Sequence, residues 1–238
     1  MKQSFFAILF FLAGIIFIVL EKLERLDLFY PSLVVKALII PILMVYYHSV
    51  ARSKYTLFHR LMMTGFFFSW LGDILLQFAN EDRGLYFDPE TFFMFGLAGF
   101  LITQVCYTIA FNIPRGKNTI LTSRIYQLLL VLGYGFLLMW LLYNKLGDFR
   151  IPVIIYAIVI HLMLISALNR YGKVNGVSYI VVVIGALLFV ASDSMIAINR
   201  FIERFDFARI LIMSTYIIAQ YLIAIGSLRQ DFNPAEEA

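Results

Sequence analysis

The chain has 238 residues, 62% of them hydrophobic and 14% charged, with a mean hydropathy of +0.86. A soluble domain carries roughly 45–50% apolar and about 25% charged residues, so the composition excludes an ordinary soluble domain and points to a polytopic membrane protein. The net charge of +4 is no nucleic-acid signal, because the basic residues lie in short loops between apolar runs and read as topology.

The N-terminal stretch begins with an apolar run from Phe5 to Leu20. It is longer than a usual signal-peptide core, and no small-x-small site precedes Glu21-Lys22, so a retained first span is expected. Apolar runs long enough to cross a bilayer then follow in order. The expected spans are 4–20, 31–50, 58–79, 91–113, 124–144, 151–169, 175–198 and 207–228. The fold class is therefore all-α, a polytopic membrane bundle of eight transmembrane helices. Residues 1–230 form a single transmembrane domain and 231–238 a polar C-terminal tail. Short loops make successive helices antiparallel neighbours.

Eight spans place both termini on one face. Leaving Lys36 aside, the loops and span ends on that face carry 10 Lys and Arg and those on the opposite face 8, so the termini are assigned to the cytoplasm. The single cysteine, Cys106, lies in an apolar run, which excludes an intrachain disulfide and a cysteine metal cluster. His48, His59 and His161 do not form HExxH. No metal and no cofactor is expected.

Apart from arginines in the first turns of spans, three charges fall inside them: Lys36, Asp73 and Asp193. Each is five or six residues from the span end on the face opposite the termini, roughly 8–9 Å deep at 1.5 Å per residue. A carboxylate at such depth is costly and marks a candidate functional site. The agreement in depth predicts one polar pocket opening towards that face. Ser69, Asp73, Gln77 and Asn80 make a polar stripe on span three. Gly96, Phe100, Gln104 and Tyr107 align on span four. Gly185, Phe189, Asp193 and Arg200 share a face of span seven, where Gly185 admits a close neighbour. Tyr216 and Gln220 are one turn apart on span eight. A faint echo, Gly72-Asp73 followed by Gln104 and Ser192-Asp193 followed by Gln220, is what two diverged four-helix repeats would leave.

Two carboxylates crowded into one desolvated site do not both ionise readily. An acid beside a carboxylate suits cleavage through an oxocarbenium ion. Competing readings are weaker. An intramembrane aspartyl protease carries a GxGD signature and a tyrosine before the other aspartate, but position 70 is Trp and position 192 is Ser. A zinc-dependent membrane hydrolase needs several intramembrane histidines, and only His161 lies well inside a span. A proton-coupled carrier of lipid or small molecules using the same aspartates is the main alternative.

The segments SWLGDILL, FMFGLAGFLITQVCY, GALLFVASDSMIAINRF and STYIIAQYLIA, with the Lys36-containing VVKALIIPIL, together resemble the YhhN-type membrane proteins, the lysoplasmalogenase family. The resemblance runs from about residue 30 to 228. The family often has His in the fourth helix where this chain has Gln104. The resemblance implies hydrolysis of the vinyl ether bond of a lysoplasmalogen to a fatty aldehyde and a glycerophospho-alcohol. The substrate would be a lysophospholipid within the bilayer of a bacterial inner membrane, and no nucleic-acid partner is implied. Asp73 and Asp193 are then the catalytic pair, one as acid and one as base; the sequence does not assign the two roles, although Asp73, beside Ser69 and Gln77, is the better solvated and fits the base. Lys36 would attract the lipid phosphate or hold one aspartate ionised. Gln77, Asn80, Gln104, Tyr107, Tyr156, Ser192, Asn199, Tyr216 and Gln220 complete the candidate substrate-binding set.

Overall fold

The computed structural model of the chain describes residues 2–23, 26–52, 55–79, 88–114, 116 and 119–230. Asn80 and the tail 231–238 lie outside the described residues. The described chain forms helices α1 (Lys2–Lys22), α2 (Phe29–Ala51), α3 (Leu57–Phe78), α4 (Pro89–Phe111), the single turn α5 (Thr119–Thr122), α6 (Ile125–Leu142), α7 (Arg150–Leu168), α8 (Gly176–Phe201) and α9 (Ala208–Leu228). Among the described residues, eight helices are long and apolar enough to cross a membrane, as expected. Helices satisfy their own backbone groups, which is what a hydrocarbon environment demands.

Local chemistry sets several helix starts. The Asp88 carboxylate accepts hydrogen bonds from the Glu90 amide at 3.2 Å and the Thr91 amide at 3.1 Å, and Pro89 takes the first helical position of α4, where no amide donor is needed. At α3, Thr56 and His59 form a reciprocal capping box. At α8, Asn175 accepts from the Ser178 amide at 2.9 Å. This last helix runs to Phe201 rather than 198, so Asp193 sits eight residues from its end and not five.

The chain divides into two compact units, Met1–Cys106 and Tyr107–Ala238, with the boundary inside α4. In the first unit α1 packs on α2 and α2 on α3. Phe10, Phe17, Tyr47, Phe58 and Phe66 form its interior. Helix α4 approaches α3 along small residues. A methyl group added at Gly99 would lie 3.0 Å from the Phe68 carbonyl oxygen and 3.2 Å from the Gly72 Cα. Beside it, the Thr103 hydroxyl donates to the Gly65 carbonyl at 3.0 Å.

In the second unit α6 packs on α7, α7 on α8 and α8 on α9. The α8–α9 contact is closest at Gly185, where an added Cβ would meet the Ile223 backbone nitrogen at 2.9 Å. At the α7–α8 turn the Arg170 side chain is wholly buried. Its guanidinium donates to Ser178 Oγ at 3.0 Å and Gln230 Oε1 at 3.1 Å and lies over the Phe111 ring. Ser178 in turn donates to the Gly226 carbonyl at 2.7 Å. The arginine therefore ties the α7–α8 turn to the end of α9.

Candidate active site

In the first unit, the C-terminal turn of α1, the first turns of α2 and the last turns of α3 bring polar groups together. Lys36 Nζ lies 3.9 Å from Asp73 Oδ1 and donates to Gln77 Oε1 at 3.4 Å. The Gln77 amide nitrogen donates to Glu21 Oε1 at 2.8 Å and to Ser32 Oγ at 3.2 Å. Ser32 donates its own hydrogen to the Phe29 carbonyl at 2.9 Å. The ammonium also stands 5.4 Å from the centre of the Phe17 ring. Glu21, Ser32, Lys36, Asp73 and Gln77 are all buried. One turn before Asp73, the Trp70 indole donates to the Ala37 carbonyl at 2.9 Å and anchors this part of α3 to α2.

Buried charges survive only when paired and hydrogen-bonded. Here Lys36 faces the Asp73 carboxylate, and the Gln77 amide joins the ammonium to the Glu21 carboxylate. Of these contacts the Gln77–Glu21 bond at 2.8 Å has the length of a charge-assisted hydrogen bond, worth about 1.5–3 kcal/mol in net terms. Lys36 and Asp73 thus meet, as their common depth suggests, and Gln77 joins them from the polar stripe of α3. Glu21 and Ser32 were not on the sequence-derived list. The sequence alone places Glu21 in the loop that follows the first apolar run. A signal for it existed, since Phe10, Phe17 and Glu21 are spaced 7 and 4 residues apart on one buried face of α1.

In the second unit, the Tyr156 hydroxyl on α7 donates to Asp193 Oδ2 on α8. Tyr107, on the last turn of α4, donates to Gln220 Oε1 at 2.9 Å, and Gln220 donates back along α9 to the Tyr216 hydroxyl at 3.4 Å. The Tyr216 ring meets Phe189 edge-on at 5.6 Å. Helix α6 contributes Tyr134, which donates to Ser194 Oγ at 2.8 Å, another pair the sequence reading did not single out. Tyr134 and Ser194 carry no periodic signal distinguishing them from ordinary interhelical contacts.

The remaining candidates have other attachments. Ser192 donates to the Ile212 carbonyl at 3.0 Å, linking α8 to α9. Asn199 accepts from the Phe205 amide at 3.2 Å and closes the α8–α9 turn. Gln104 is wholly buried on α4. Asn80 lies outside the described residues. Among the described residues, no cluster of three or more His, Cys, Asp or Glu side chains has metal-ligand geometry.

A model of the YhhN family matches residues 31–227. Over 180 residues the chain is 31% identical to lysoplasmalogenase TMEM86A of Bos taurus, covering 74% of this chain and 68% of that protein. It is 33% identical over 142 residues to lysoplasmalogenase TMEM86B of Rattus norvegicus, covering 59% of this chain and 54% of the relative. A lysoplasmalogenase of Mycobacterium tuberculosis (strain CDC 1551 / Oshkosh) is 31% identical over 162 residues, 66% of this chain and 59% of the relative. The match therefore spans between about half and two thirds of these relatives' own lengths. No solved structure matches the chain.

Proposed function

The chain belongs to the YhhN family, and on that premise we propose that it is an integral membrane hydrolase cleaving the vinyl ether bond of a lysoplasmalogen. The substrate is a 1-alkenyl glycerophosphoethanolamine or glycerophosphocholine, and the products are a fatty aldehyde and a glycerophospho-alcohol. The observation that carries the residue assignment is the Lys36–Asp73 pair at 3.9 Å inside an apolar bundle. A charge pair maintained there needs a reason beyond packing.

The chemistry needs a proton delivered to carbon and a carboxylate near the cation that results. In the proposed cycle, Asp193 gives its proton to the alkenyl carbon two bonds from the ether oxygen, and the double-bond electrons form that C–H bond. The adjacent carbon becomes an oxocarbenium ion. Asp73, ionised beside Lys36, stabilises the cation and takes a proton from the attacking water. The resulting hemiacetal loses its hydroxyl proton to Asp193. Asp73 returns its proton to the glycerol oxygen as the C–O bond breaks. Both carboxyl groups end as they began, with one water consumed. The joint action of the two aspartates rests on both being carboxylates inside apolar spans and on the family's reaction. Lys36 or its neighbours receive the phosphate-bearing head group, while the aliphatic walls take the single alkenyl chain.

Release of fatty aldehyde from a 1-alkenyl lysolipid by the purified protein in detergent tests this reading. The expected result is stoichiometric aldehyde and glycerophospho-alcohol. Transfer of intact lysolipid across vesicles with no aldehyde would instead identify a carrier and overturn it.

A further inference from the structure

We infer that Glu21 is a positioning residue for Asp73, acting through Gln77 and Lys36. This rests on the proposed hydrolysis, in which Asp73 is the ionised partner. A glutamine amide has two nearly isosteric ends, one donor and one acceptor, and its neighbours decide which end faces where. A carboxylate only accepts, so Glu21, 2.8 Å from Gln77 Nε2, compels the amide nitrogen to point towards α1. The amide oxygen is thereby turned to Lys36, from which it accepts at 3.4 Å. Ser32 accepts in the same sense while its hydrogen is held by the Phe29 carbonyl at 2.9 Å, but a hydroxyl can turn that hydrogen towards the amide, whereas a carboxylate has none to turn. With the amide reversed, two donors would face each other and the ammonium would be driven from its place 3.9 Å from Asp73.

Glu21 is suited to the task by its location. It is 7% exposed and belongs to the last turn of α1, so it holds the α1 end against α3 as well as orienting the amide. The path Glu21 to Gln77 to Lys36 to Asp73 crosses three helices within one compact unit.

The test is turnover of a 1-alkenyl lysophosphatidylethanolamine by purified full-length variants, normalised to monodisperse folded protein. Glu21→Ala is expected to lower kcat about tenfold or more with KM changed less than about twofold, the pattern of a misplaced catalytic group. Glu21→Gln, which can still present an amide oxygen to Gln77, restores most of kcat. The double variant Glu21→Ala with Gln77→Ala is no slower than Gln77→Ala alone, because Glu21 acts through Gln77. If kcat per folded molecule is unchanged in Glu21→Ala, or if the two losses multiply in the double variant, the inference is overturned while the hydrolase reading stands. Absence of aldehyde from the unsubstituted protein overturns the reading and the inference together.

Discussion

The phenol of Tyr156 donates its hydrogen to Oδ2 of Asp193, joining α7 to α8 inside the second unit. This bond fixes the direction of the carboxyl group from the α7 side. Replacing Tyr156 by Phe keeps the ring and deletes the donor. A hydrogen bond to a charged or reacting carboxyl is worth about 1.5–3 kcal/mol, so Tyr156→Phe is expected to slow aldehyde release by roughly ten- to a hundredfold. Steady-state turnover of the purified variant checks it, and an unchanged kcat would reduce Tyr156 to a packing residue.

The two aspartates bear the larger burden. Asp73→Asn and Asp193→Asn preserve shape and remove the acid. General acid–base groups contribute about 10²–10⁴-fold, so each variant is expected to lose at least that much activity while still eluting as a folded species. Near-normal turnover in either one would remove that residue from the mechanism.

Most of this architecture was legible before any coordinates. Eight spans follow from run length, because a bilayer admits few alternatives. Lys36 and Asp73 are legible as a pair because charge inside hydrocarbon is rare and depth can be counted, and Gln77 because it lies one turn from Asp73 on a polar stripe. Glu21 was not, for a physical reason: at the end of a helix the sequence cannot distinguish a carboxylate turned to solvent from one turned inward. Only the face shared with Phe10 and Phe17 carried the information. Arg170 escaped in the same way, being assigned to a loop although its side chain is wholly buried. The Tyr107–Gln220 bond joins residues 113 positions apart, a pairing that no local periodicity encodes.

The α8–α9 contact gives a prediction about stability alone. A side chain at Gly185 would collide with the Ile223 backbone nitrogen at 2.9 Å and the Ala219 oxygen at 3.0 Å, atoms that cannot swing aside. Overpacking of this kind costs about 1–3 kcal/mol, so Gly185→Val is expected to lower the melting temperature in detergent. Gly133→Ala is the control: nothing lies within 4 Å of its added methyl, and a helical glycine replaced by alanine gains up to about 1 kcal/mol. Equal effects of the two substitutions would contradict the packing described.

The start of α4 predicts a pH dependence. The Thr91 hydroxyl bond to Asp88, opposed by slight desolvation and reinforced by the Thr91 and Glu90 amides, holds the Asp88 carboxyl below its usual range. A carboxyl lowered on folding stabilises the folded state above its unfolded value, and the contribution fades as pH falls through the folded one. Asp88→Ala should therefore melt earlier than the unsubstituted protein at neutral pH. The gap should close on acidification below the ordinary aspartate range. Thermal melts across pH check it, and a gap independent of pH would show that the cap acts without its charge.

The seam of Gly99 against Gly72 has a consequence for chemistry that involves no reactive group. Asp73 follows Gly72 directly, about 100° further round the helix. A Cβ at Gly72 would strike the Phe100 ring at 2.8 Å and the Gly96 oxygen at 3.1 Å, so α3 and α4 are keyed backbone against backbone. Spinning α3 about its own axis would drive one main chain into the other. The azimuth at which Asp73 projects is thus dictated by an angular stop built from residues that have no side chain.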